Sequence, residues 1–234
     1  MEQSETYFTL AESRKATCFS DIRDNIGVVL YSAETARKEE EDAGAIFVKE
    51  DLPGGMVMVL EAIMYEPGDG YYHLPVDTEM VVNEVLDIGD MMKLGLECMA
   101  KKLPEKIERT TDIVNVSMLF ENPNFYVIHT DEVFGASALF YPGVQERIAK
   151  KLGGSYFVLP LTRDFFILAA DNGTKDPDRL QKILIDQNAD LDPELRVSDD
   201  VLYYDAGEGK LTTVNDARNS SNVVYLNRTN DYMN

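Results

Sequence analysis

The chain has 234 residues, enough for one sizeable domain or for two small ones that share a surface. Apolar residues make up 44% and charged residues 27%, a globular composition that excludes a disordered polar chain. Forty-two Asp and Glu stand against twenty-two Lys and Arg, and the net charge of -20 argues against a basic groove for nucleic-acid phosphates or a patch for anionic lipid.

Two histidines and two cysteines leave little for a His/Cys metal centre, and no tryptophan is present as an anchor. The first residues are polar and acidic, without the basic and apolar regions of a signal peptide. No apolar run reaches the roughly 18 residues of a membrane-spanning helix. Cys18 and Cys98 match no CxxC or zinc spacing. The expectation is a cytoplasmic protein with two reduced, buried thiols, in which Asn172-Gly173-Thr174 carries no glycan.

In chain order, residues 1–45 read as an N-terminal helical segment holding the run Arg37-Lys38-Glu39-Glu40-Glu41-Asp42. Ser32 is placed to cap a short solvated helix there and Gly44 to end it. After Pro53-Gly54-Gly55 the run Met-Val-Met-Val-Leu-Glu-Ala-Ile-Met-Tyr, rich in β-branched residues, predicts a strand. The turn Glu66-Pro67-Gly68-Asp69-Gly70 leads into a returning strand over 71–76. Residues 78–103 read as helical, broken around Gly89 and stopped by Pro104.

Further along, 124–129 and 135–141 read as paired strands. Pro142 fits the first turn of a helix whose Val144, Ile148 and Leu152 share one face, and Gly153-Gly154 stops it. Strands over 156–161 and 165–170 flank a tight Thr162-Arg163-Asp164 turn. Asp176-Pro177 opens a helix with Leu180, Ile183 and Leu184 as its buried stripe, and 201–204 forms a hairpin with 211–214. The order β-β-α-β-β-α-β-β predicts an α+β fold over 46–214, antiparallel strands with helices packed on the sheet. Residues 215–234 read as a loosely ordered tail, with Val223-Val224-Tyr225-Leu226 as a candidate edge strand.

Motif by motif, catalysis finds little support. Asp186-Gln-Asn188-Ala-Asp190-Leu-Asp192 spaces oxygens like a calcium loop, but Leu191 and Val197 stand where that loop needs Gly and Glu. There is no GxxxxGK[ST] and no GxSxG. A triad would have to recruit His73 or His129, both on predicted strands, where a lone histidine reads as a satisfied core or edge residue. Carboxylate pairs of the glycosidase kind are too numerous among so many acids for any one to be nominated.

Charge placement is more informative. The net is -6 over 1–60, -7 over 61–120, -2 over 121–180 and -5 over 181–234. Between Lys49 and Lys93 no Lys or Arg occurs, while ten acids do; a second acid-rich stretch, from Asp186 to Glu208, holds only Arg196. Seven of the ten methionines fall between Met56 and Met99, which reads as core filling or as an adaptable apolar contact set inside an acidic rim.

The runs Gly135-Ala136-Ser137-Ala138-Leu139-Phe140-Tyr141-Pro142-Gly143-Val144, Ala149-Lys150-Lys151-Leu152-Gly153-Gly154-Ser155-Tyr156-Phe157-Val158-Leu159-Pro160 and Val197-Ser198-Asp199-Asp200-Val201-Leu202-Tyr203-Tyr204 carry a resemblance. This part of the chain resembles a bacterial family catalogued only as a domain of unknown function and met near mobile elements. The likeness is best over about 120–214 and faint over 46–104, and it leaves out the first 45 residues and the tail. The resemblance implies a shared α+β fold and a bacterial or phage cytoplasmic setting. It supplies no catalytic residues and no cofactor.

The leading expectation is therefore a non-enzymatic, acidic interaction protein that binds a basic protein surface, in its sharpest form an antagonist of a nucleic-acid-binding enzyme. It needs no cofactor or metal and touches neither nucleic acid nor membrane directly. The residues expected to meet the partner are Asp77, Glu79, Glu84, Asp87 and Asp90 of the first acidic stretch, with Asp199 and Asp200 of the second. The alternatives are a carboxylate-based or metal-dependent hydrolase, whose sign would be acids converging in a concave site, and an oligomeric structural module.

Overall fold

The computed structural model describes residues 16, 18–66, 70–112, 125–131, 133–173 and 175–219. A single turn, α1 (Phe19–Ile22), leads into β1 (Ile26–Ser32), and α2 (Ala33–Ala43) follows directly. Ser32 ends the strand and starts the helix: its Oγ accepts the Thr35 N–H at 3.0 Å, satisfying a donor that the first turn leaves without a partner. Gly44 closes the helix in the left-handed region at φ 63°, as its position predicts. β1 itself corrects the helical reading of the N-terminal segment. Ile26 to Tyr31 are all buried, so the strand has no polar alternation by which it could be told from a helix.

The first sheet is built around β3 (Met56–Glu66). β1 pairs antiparallel along one of its edges, while β2 (Lys49–Leu52) and β4 (Gly70–Pro75) lie end to end along the other. Val48 knits that joint, donating to the Val76 carbonyl and accepting the Leu60 N–H, both at 2.9 Å. Two helices follow, α3 (Thr78–Val81) and α4 (Ile88–Lys102). The break between them precedes Gly89 because Asp87 caps α4, its Oδ1 accepting the Asp90 N–H at 2.8 Å. α4 shields the outer edge of β1, where the Val28 N–H donates to Met99 Sδ at 3.0 Å. That approach depends on glycine: a Cβ on Gly27 would stand 2.8 Å from Met99 Sδ. Of the seven methionines of this half, Met56, Met58, Met64, Met91, Met92 and Met99 are buried and fill the core, and Met80 packs half-buried against it, so they form no adaptable surface.

The second sheet has the order β10-β9-β7-β8-β6-β5, antiparallel throughout. Its strands are β5 (Lys106–Arg109), β6 (Phe125–His129), β7 (Tyr156–Thr162), β8 (Phe165–Ala170), β9 (Leu202–Asp205) and β10 (Lys210–Thr213). The connecting helices are α5 (Val144–Leu152), α6 (Pro177–Ala189) and α7 (Val214–Asn219). Tyr156, Val158, Phe166 and Leu168 face the large core shared with the first sheet. Their pleat neighbours Phe157, Leu159, Ile167 and Ala169 face a second core with Leu180 and Leu184 of α6 and Val214 and Ala217 of α7. The Tyr156–Tyr204 and Phe157–Tyr203 ring pairs, with centroids 5.0 and 5.2 Å apart, hold β7 to β9. Pro160 has no N–H to give, and it lies where the register of β7 with β8 shifts between Leu159 and Thr162.

Residues 135–140 differ from their strand reading and form a buried 3-10 segment, Gly135–Phe140. β6 has no free edge for them, because β5 and β8 already occupy both. β5 was not anticipated, being a short edge strand of charged character. The tail reading changes as well: α7 is seated on the sheet through Val214 and Ala217, while 223–226 lies outside the described residues. Cys18 and Cys98 are free thiols, half-buried, and burial pushes the Cys98 thiol up.

Candidate protein-binding surface

β4 pairs only with β3 among the described strands, and its side chains alternate. Tyr72 and Leu74 are exposed on one face. Beyond the strand Asp77 caps α3, its Oδ1 accepting the Glu79 N–H at 2.9 Å, and the Thr78 N–H donates to the Ile46 carbonyl at 2.8 Å. Ile46 is thereby set beside the start of α3. The link from α3 to α4 exposes Val82, leaves Val85 fully open to solvent, and ends in exposed Ile88. Six of the eight exposed large hydrophobic side chains among the described residues thus fall within 46–88. Single exposed apolar residues are ordinary, whereas such a concentration is characteristic of contact surfaces.

The acids expected to meet a partner occupy the same stretch. Glu79, Asp87 and Asp90 are exposed and Asp77 and Glu84 half-buried. Asp77 and Asp87 each use one carboxylate oxygen as a helix cap. Among the described residues none of the five forms an ion pair, although acids elsewhere do: Glu40 with Lys49, Glu105 with Arg147, Glu194 with Lys38. Their charge is unneutralised because the sequence supplies no base between Lys49 and Lys93.

Asp199 and Asp200 are not brought into this group. Asp199 Oδ1 accepts from Asn188 Nδ2 at 2.7 Å, and the Asp200 N–H donates to Ser198 Oγ, which itself donates to the Gly54 carbonyl at 2.6 Å. They therefore sit by the turn before β3, whereas the Leu60–Val76 contact that precedes Asp77 lies four strand positions, roughly 13 Å, beyond the start of that strand at Met56. Beside them a groove of ≈ 330 Å³ runs between Ser32, Thr35 and Lys38 and the stretch from Pro193 to Asp199. The Lys38–Glu194 pair at 2.6 Å crosses it and offsets part of its charge.

One carboxylate of the first stretch was not singled out in sequence. Glu61 is fully buried in β3. Its Oε1 accepts the Tyr31 hydroxyl at 2.7 Å and its Oε2 is paired with His73 Nδ1. Burial, reinforced by Glu61, pushes the Tyr31 phenol far above its ordinary range and keeps it a donor. The signal was present, since an acid in the middle of an apolar strand needs partners. His129 differs: Nδ1 lies 2.8 Å from the Thr130 carbonyl and Nε2 3.1 Å from Glu108 Oε2. Among the described residues no group of three or more His, Cys, Asp or Glu could hold a metal ion, and no helix is long and apolar enough to cross a membrane.

Fold and surface define an α+β protein of two antiparallel sheets, with exposed apolar residues and acids that form no ion pair among the described residues concentrated in the stretch from Ile46 to Asp90. The chain belongs to a family of unknown function, DUF5688, whose match covers residues 5–206. That span takes in β1 and the segment before it, so the family domain reaches further toward the N-terminus than the resemblance, best over about 120–214 and faint over 46–104, implies. No curated protein and no solved structure matches the chain.

Proposed function

We propose that this protein binds a basic protein surface through the face formed by residues 46–90. The observation that carries the reading is the coincidence of Ile46, Tyr72, Leu74, Val82, Val85 and Ile88, all exposed, with carboxylates that have no ion-pair partner among the described residues. Magnitudes divide the work. Burying a Val or Ile contributes about 1.5–3 kcal/mol, whereas an exposed ion pair contributes about 0.2–1 kcal/mol. Affinity then rests on the apolar centre, while the acids steer approach and reject acidic partners. In its finer form the partner is a nucleic-acid-binding enzyme whose phosphate groove receives Asp77, Glu79, Glu84, Asp87 and Asp90, which makes this protein its antagonist. Asp199 and Asp200 stand outside that contact.

The test is affinity capture from a bacterial lysate at about 50 and about 300 mM salt, conditions that separate unscreened from screened contacts. Two variants accompany the wild type: Glu79→Lys with Glu84→Lys and Asp90→Lys, and Val85→Asp alone. Asp77 and Asp87 are spared because reversing a cap would also destabilise a helix. The expected result is a basic partner held at low salt, released at high salt, and lost by both variants. Partners that both variants retain would remove this face from consideration.

A further inference from the structure

The buried cluster under β4 carries an inference independent of the binding face, since His73 alternates with Tyr72 and Leu74 along the strand. We propose that Glu61 and His73 form an oriented carboxylate–imidazole pair whose Nε2 acts as a nucleophile toward neutral carboxylic esters. A fully buried carboxylate is costly unless hydrogen-bonded, and an apolar side chain in its place would avoid that cost. Retaining Glu61 in the apolar run of β3 thus points to a role beyond packing.

That role is read from the ring. Tyr31 occupies Oε1, and Oε2, as an acceptor, holds the imidazole proton on Nδ1. Nε2 has no partner among the described residues and 27% of the His73 side chain is exposed, so in the neutral ring its lone pair is free. Both nitrogens of His129, by contrast, are engaged. The ring is braced by Phe134, which meets it edge-on with centroids 4.6 Å apart. Phe134 is the only non-glycine residue at positive φ among those described, held at φ 60° with its N–H donated to Asp164 Oδ1 at 3.2 Å. A bulky side chain in that region is strained, and such strain is concentrated at positions held for function. The net charge of -20 disfavours phosphates and other anions as electrophiles, which leaves neutral acyl compounds.

In the proposed step Nε2 bonds to the acyl carbon while the carbon–oxygen bond breaks and the leaving oxygen takes the electron pair. The acylimidazolium, its charge balanced by Glu61, is cleaved by water to the carboxylic acid. The extra ring proton passes to the leaving oxygen, which restores neutral imidazole and completes hydrolysis to acid and alcohol.

The experiment follows p-nitrophenolate release from p-nitrophenyl acetate by the intact protein, beside nitrogen-15 spectra of the histidine rings. Wild type is expected to show His73 protonated on Nδ1. His73→Asn is expected to lower hydrolysis roughly 100-fold, the lower end of what a positioned group contributes, while His129→Ala leaves it unchanged. Glu61→Gln replaces an acceptor by an amide donor, so it is expected to move the ring proton to Nε2 and lower hydrolysis as His73→Asn does. Should that buried variant not fold, His73→Asn decides. Hydrolysis that survives His73→Asn, or a wild-type ring protonated on Nε2, overturns the proposal.

Discussion

In the second sheet β8 sends Phe166 and Leu168 to one core and Ile167 and Ala169 to the other, with the whole strand interior apolar. In the first sheet β3 is as deeply buried but places Glu61 at its centre, and its edge strand β4 leads into the exposed 82–88 link. The charge balance follows the same division, -2 over 121–180 against -7 over 61–120. In the central strands of the second sheet, β7 and β8, the side chains of both faces are taken up by the two cores. The smaller sheet, shielded by α4 at its β1 edge, can carry polar groups and open apolar ones on its other side. The second sheet is the scaffold, and the first holds the features from which a role is argued.

The comparison breaks most visibly at β8. Phe166→Ala is expected to cost about 3–5 kcal/mol in urea unfolding, since it empties a site on the shared core. Gly135→Ala comes next, at about 1–3 kcal/mol, because its Cβ would meet backbone: the Asp164 carbonyl oxygen at 2.4 Å and the Thr130 nitrogen at 2.5 Å. Asp87→Ala, which removes the α4 cap, is expected to cost about 1 kcal/mol by the same measurement.

A smaller effect depends on pH. Burial alone would raise the Glu40 carboxyl, but hydrogen bonds from Lys49 Nζ and from the Phe47 N–H at 2.9 Å outweigh it and hold the group below its ordinary 4.5. A carboxyl lowered in the fold contributes stability above its ordinary value and loses it as pH falls through the lowered one. Glu40→Gln should therefore narrow its stability deficit relative to wild type as the medium is taken below pH 4.5, read from unfolding curves at stepped pH. The smallest effect on stability belongs to Val85→Asp, within about 0.5 kcal/mol because the side chain is fully exposed. A large loss of stability there would show that the apolar face packs against the protein itself.

Much of the fold was legible where a few neighbouring residues decide it. Ser32 and Gly44 bound α2, Asp176-Pro177 opens α6, and Gly153 ends α5 at φ 86°. The strands β3, β4, β7, β8, β9 and β10 announce themselves by β-branched or aromatic runs between turn residues. The surface was legible in part: the base-free acidic stretch is read directly, but the partnering of its carboxylates is not. Asp77 and Asp87 became caps, and the methionines went inward while Val82, Val85 and Ile88 stayed out.

What composition and local pattern settled is the class of the protein, the sign of its charge and most element boundaries, because capping, turn chemistry and charge act within a few residues. β1, the 3-10 segment Gly135–Phe140 and the partners of Glu61 were settled only by packing. Each depends on groups far along the chain. β1 needs the free edge of β3, Gly135–Phe140 finds both edges of β6 occupied, and Glu61 is satisfied by Tyr31, 30 residues before it. A buried strand or a buried charge is stable only against its neighbours, and those neighbours exist only once the two sheets have closed on their shared core.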